Sequence, residues 1–173
     1  MQGAGSQKMM YPISYMFGLY DFRDGAWYEP TPDEKVQHMM QLLDVKPGHR
    51  AVDLGSGDGR IVIAMAKRGA YAVGFEKDEK LVKKANENIK TAGLSKRAKI
   101  IHANFWKEDL SRFDRVSVYQ MKSIMKKLEQ KLQKELPIGA LAVSNYWQFP
   151  TWKALNHDED LWLYVKEHAN RKT

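Results

Sequence analysis

Residues 51–61 read "AVDLGSGDGRI", a short apolar run that breaks into glycines at 55, 57 and 59. A buried strand, a glycine-rich turn and the start of a helix account for this order. "IVIAMAK" (61–67) carries the helix and Gly69 stops it. The next apolar stretch, "YAVGF" (71–75), reads as a second strand and ends at Glu76, 21 positions after Gly55. Strand, glycine turn, helix, strand and acidic residue together describe a ligand site at the carboxyl end of a parallel sheet.

The same alternation continues outward. Upstream, "TPDE" (31–34) predicts a helix start, with Thr31 as cap, Pro32 in the first turn and Glu34 closing a capping box. Val36, Met39, Met40 and Leu43 follow at helical spacing, and Pro47-Gly48 turns the chain. Downstream, Asp78 caps a third helix with Leu81, Ala85 and Ile89 on one face and Gly93 at its end. Strands are expected over 98–103, 115–119, 140–147 and 161–165, with a short one near Trp152 to Leu155. Ile124, Leu128, Leu132 and Leu136 line a long helix, on which Lys122, Lys126, Lys127, Lys131 and Lys134 form the expected solvated face. The fold expected is α/β, a mostly parallel seven-stranded sheet with helices on both faces and a C-terminal antiparallel hairpin around "NHDED".

Composition narrows the function. The chain has 173 residues, 43% hydrophobic and 28% charged, enough for one domain with a real core. It has no cysteine, which removes disulfides, thiolate metal sites and thiol catalysis. No apolar run approaches the roughly 18 residues of a membrane span, and no signal peptide is visible, so a cytoplasmic protein is expected. The formal net charge is +7, spread over several helices rather than gathered in one arm. The histidines at 38, 49, 102, 157 and 168 lack metal-ligand spacing, so no metal is expected. Residues 1–27 form an aromatic segment (Tyr15, Phe17, Tyr20, Phe22, Trp27), read as a candidate lid, and 28–173 as a single domain.

The charges within the loop separate two ligand classes. A dinucleotide fingerprint needs a third glycine at position 60, where this chain has Arg60. Asp53 and Asp58 would repel a pyrophosphate and favour a cationic group. S-adenosylmethionine carries a sulfonium and an ammonium and no phosphate, so the pattern favours it over NAD. Glu76 is placed to accept from ribose hydroxyls.

With these residues in view, segment 51–61 and "GFE" (74–76) resemble the first two motifs of the class I methyltransferases, whose fold is Rossmann-like. "YEPTPDEKV", "ANFWK", "LEQKLQKEL" and "FPTW" resemble the small lysine methyltransferase group, which includes archaeal protein lysine methyltransferases and the animal ATP synthase c-subunit lysine methyltransferase. The likeness covers roughly residues 28 to 165. It implies S-adenosyl-L-methionine as cofactor and S-adenosyl-L-homocysteine as product. Asp53, Gly55 and Gly57 would surround the methionine part, with Ser56, Asp58 and Arg60 beside them. Tyr28 and Thr31 would lie over the methionine end, Glu76 at the ribose, and Asn104 with Phe105 beside the adenine. No membrane segment precedes the matched region, so a membrane-embedded substrate is not expected.

A lysine acceptor must lose its proton, which a dry aromatic channel favours. Tyr119 and Trp147, at the ends of the fourth and fifth strands, are channel candidates, and Phe149 and Trp152 stand nearby. Their competing reading is core or rim packing. "VYQMKS" (118–123) lacks the Pro-Pro pair common after this strand in amino methyltransferases acting on adenine, cytosine or glutamine. A monomeric lysine methyltransferase acting on protein is therefore expected. A nucleic-acid methyltransferase and a cofactor-binding module without activity are the rivals.

Overall fold

Strand β1 (Arg50–Leu54) is an interior strand of the sheet, and its Ala51, Val52 and Leu54 are apolar and buried. The computed structural model describes residues 29–168. Tyr28 and the aromatic segment expected to act as a lid lie outside them.

Around β1 run β2 (Tyr71–Glu76), β3 (Ala98–His102), β4 (Arg115–Val118), β5 (Leu141–Asn145), β6 (Asn156–Asp158) and β7 (Leu161–Val165). The sheet order is β3-β2-β1-β4-β5-β7-β6. β3, β2, β1, β4 and β5 are parallel, whereas β7 pairs antiparallel with β5 and with β6. Helices α1 (Asp33–Leu42), α2 (Arg60–Lys67) and α3 (Glu79–Thr91) cover one face through Met39, Met40, Met65, Ala85 and Ile89. Helix α4 (Met125–Glu135) covers the other through Leu128 and Leu132, packed with Phe113 and Val116. The chain is therefore the Rossmann-like α/β sheet with a C-terminal antiparallel hairpin that the alternation implied. β1 and β4 are neighbours whose crossovers leave in opposite directions, and the crevice beyond their carboxyl ends is where such sheets bind ligands.

Four local expectations change. Thr31 does not cap α1; Pro32 occupies that position and no side chain bonds to the helix start. Thr31 is instead buried, and its carbonyl accepts from Arg60 Nη1 at 2.8 Å, a tertiary tie that overrides the local box. The short strand falls at Asn156–Asp158 rather than at Trp152 to Leu155, because the Trp152 indole is drawn to the Val165 carbonyl at 3.1 Å. Strands β4 and β5 stop at Val118 and Asn145, which leaves Tyr119 and Trp147 just beyond the sheet. Lys131 is not on a solvated face. Its ammonium lies 2.8 Å from the Glu135 carboxylate and donates to the Glu108 carbonyl, and its side chain is only 10% exposed.

Candidate cofactor site

The turn after β1 folds as it does because its glycines allow what other residues resist. Gly55, Gly57 and Gly59 all have positive φ, the left-handed region that favours glycine. The amides of Gly55 and Ser56 both donate to the Phe75 carbonyl, at 2.9 and 3.1 Å, which ties the loop to β2. From the other side, Asn88 on α3 donates to the Asp58 carbonyl at 2.9 Å.

Glu76 ends β2 facing this loop. One carboxylate oxygen accepts from the Gly57 amide at 2.9 Å; the other accepts from Lys77 and Asp78 amides at 2.7 and 2.9 Å. Three backbone donors fix the carboxylate in orientation and leave it lone pairs for further donors. Replacing Glu76 with alanine is expected to weaken binding of S-adenosylhomocysteine by about 1.5–3 kcal/mol, the value of hydrogen bonds to a charged group. Titration calorimetry checks this, and unchanged affinity would remove Glu76 from the site.

Asp53 lies one strand inward and is 3% exposed. The Ser117 hydroxyl, directly across the β1–β4 register, donates to Asp53 Oδ1 at 2.6 Å. Among the described residues no basic side chain bridges it. Burial pushes its carboxyl up to about 7; the Ser117 bond opposes this, and the charges of Glu76 and Asp58 add to it. A buried carboxyl held in this way is completed by a cation.

Asp58 differs from the sequence-based reading. Arg60 surrounds its carboxylate, with Nη2 at 2.8 Å and Nε at 3.0 Å. The loop's attraction for a cation therefore rests on Asp53 and Glu76 rather than on Asp53 and Asp58.

Other named residues take definite places. Asn104 accepts from the Trp106 amide at 3.1 Å and so caps a single 3-10 turn, while Phe105 is buried beneath it. Tyr119 is half-buried, and its hydroxyl donates to Glu29 at 2.9 Å, joining the segment before α1 to the end of β4. Trp147 is half-buried, and the Lys122 ammonium stands 5.1 Å above its ring. Phe149 and Trp152 stack on each other at 5.5 Å, and both meet the ring of Tyr164; Phe149 is buried and Trp152 half-buried.

Three residues carry roles that sequence reasoning missed. Ser117 is a hydroxyl within an apolar strand, a signal visible in "RVSVY" but interpretable only with the β1–β4 register. Glu29 is marked by nothing local. Gln120 donates to the Leu54 carbonyl at 2.7 Å and lies against Gly55, where a Cβ would be 2.3 Å from its Nε2. Ser56 Oγ and Gln120 Oε1 are buried with no hydrogen-bond partner among the described residues. The orphaned Gln120 Oε1 and the uncompensated Asp53 carboxyl fit a polar, cationic ligand and hence S-adenosylmethionine.

Comparison with known proteins agrees. Residues 53–156 match the model of the ANTKMT methyltransferase domain. A protein-lysine N-methyltransferase of Saccharolobus islandicus is 35% identical, over 80% of this chain and 92% of that one. The mouse adenine nucleotide translocase lysine N-methyltransferase is 41% identical over 73% of this chain, which spans only 55% of the mouse protein. A solved structure described as an RNA methyltransferase from Salinibacter ruber, with S-adenosyl-L-homocysteine bound, is 33% identical. It superposes with a TM-score of 0.80, over 84% of this chain and 98% of that one.

Proposed function

We infer that this chain, which belongs to the ANTKMT methyltransferase domain family and is an S-adenosylmethionine-dependent methyltransferase, transfers its methyl group to lysine side chains of protein. The observation that carries the choice of acceptor is the 35% identity to a protein-lysine N-methyltransferase, over 80% of this chain and 92% of that one; the Lys122 ammonium over the Trp147 ring is compatible with it. The chain's own lysine exhibits an aromatic face, just beyond β5, that accepts an alkylammonium. Contacts of this kind contribute about 0.5–2 kcal/mol.

The cofactor supplies a methyl group on a sulfonium, open to in-line attack by a neutral amine. The residues divide the remaining work. Asp53 and Glu76 hold the cationic and ribose parts, and the glycine loop sets their orientation, an alignment worth several kcal/mol (about 7 or more at best). The acceptor amine, with an ordinary pKa of about 10.4, must arrive neutral. The half-buried rings of Tyr119 and Trp147 exclude water from its path and lower that pKa by desolvation. A general base is not required by this scheme.

One methyltransferase domain over 28–173, a monomeric state and a cytoplasmic location belong to the same proposal. Among the described residues no helix is long and apolar enough to cross a membrane. A nucleic-acid acceptor is the second reading, favoured by the description of the Salinibacter structure and by the net charge of +7. Incubation of the protein with radiolabelled S-adenosylmethionine and a cell extract separates the two. Label that survives nuclease and is lost to protease is expected; the reverse pattern would make nucleic acid the substrate.

A further inference from the structure

Gln120 has a side-chain oxygen that the described residues leave without a hydrogen bond. The residue follows Tyr119 beyond the end of β4 and is 6% exposed. Its Nε2 donates to the Leu54 carbonyl at 2.7 Å, which fixes the amide plane and decides which atom is left over. That atom, Oε1, is buried and accepts from no group of the described residues. A desolvated carbonyl left in this state is unfavourable, and natural folds seldom keep one without use.

Its place says what it awaits. The amide lies on the bare Cα of Gly55, so close that a Cβ there would fall 2.3 Å from Nε2 and 3.5 Å from Cδ. It therefore stands at the switch point between β1 and β4, over the first glycine of the cofactor loop and two residues from Asp53 in the chain. A carbonyl oxygen can only accept, so its partner must be a donor. Asp53 makes the surroundings favour a donor that is cationic.

We propose that Gln120 is a cofactor-binding residue whose Oε1 accepts a hydrogen bond from the α-ammonium of the methionine part of S-adenosylmethionine. A neutral amide orients that group without placing a further carboxylate beside Asp53 and Glu76. The proposal rests on the cofactor and not on the lysine acceptor, and its primary readout is ligand binding.

The test compares two ligands by titration calorimetry. S-adenosylhomocysteine has the amino-acid part; 5′-methylthioadenosine keeps the adenosine and the thioether but lacks it. For Gln120→Met, affinity for S-adenosylhomocysteine is expected to fall by about tenfold or more, as for a lost hydrogen bond to a charged group. Affinity for methylthioadenosine is expected to stay within about twofold, which also shows that the variant is folded. Should Gln120→Met not fold, Gln120→Asn withdraws the same oxygen by one methylene and is expected to separate the two ligands in the same direction. Equal losses for both ligands would reduce Gln120 to a support for the loop, and unchanged affinity for S-adenosylhomocysteine would remove it from the site; either overturns the proposal. Intact binding of S-adenosylhomocysteine with lowered methylation of poly-L-lysine would move the hydrogen bond to the acceptor amine and overturn it as well.

Discussion

Asp53→Asn is expected to weaken S-adenosylmethionine binding by about 10- to 100-fold at pH 8 and to flatten its dependence on pH. Burial raises the Asp53 carboxyl to about 7, so in the free protein near neutrality it is partly protonated. A bound cation favours the ionised form, and binding then expels the proton. Affinity should therefore rise with pH up to about 7 and level off above it, changing at most about tenfold per pH unit below. Asparagine has no proton to lose, and the slope disappears.

The same shift has an opposite consequence for the free fold. The folded carboxyl titrates above its ordinary 3.8, so its favourable contribution is whole below that value and is lost as pH rises through about 7. The gap corresponds to a ceiling of about 4 kcal/mol. Without ligand at pH 8, Asp53→Asn is accordingly expected to be as stable as the parent or more so. Calorimetric titration between about pH 5 and about pH 9, with denaturant melts at both ends, checks both signs. A parent whose affinity is flat across this range would contradict the role given to Asp53.

Gly55→Ala is expected to destabilise the fold by about 2–4 kcal/mol and to abolish cofactor binding. Two effects add. An alanine at φ 87° costs about 1–2 kcal/mol for its left-handed backbone. Its methyl group would also meet Gln120 Nε2 at 2.3 Å and drive the amide off the Leu54 carbonyl, forfeiting a hydrogen bond of about 1 kcal/mol and its packing. Gly48 is the control. Its φ is 89°, and nothing lies within 4 Å of an added Cβ, so Gly48→Ala carries only the backbone effect. Urea melts that show equal losses for the two variants would mean that the Gln120 contact contributes nothing.

The legible parts of this fold are those governed by short-range order. The β1 turn could be read because glycines at 55, 57 and 59 interrupt a buried strand, and Asp78 could be read as a cap because its side chain accepts from the amides of Lys80 and Leu81. Parallel order followed from alternation alone. What escaped depends on residues far apart in the chain. Thr31 reads as a cap until Arg60 takes its carbonyl, and Lys131 reads as solvated until Glu108 and Glu135 surround it. Asp58 looks available to a ligand only while the neighbouring Arg60 is pictured pointing away. Phe149 and Trp152 are visible as aromatics in the sequence, but their stacking on each other and on Tyr164 needs the fold. Gln120 was invisible because its meaning lies in an atom left without a partner among the described residues, a property that no local pattern encodes.

Methylation of lysine in protein by this chain is expected to depend on Asp53. Peptide mass spectrometry of the labelled product from the extract, made in parallel with the parent and with Asp53→Asn, tests it most directly. Lysine Nε carrying one or more added methyl groups with the parent, and strongly reduced with the variant at equal protein, is the expected result. Methyl groups on nucleotides, or on protein side chains other than lysine, would contradict the account.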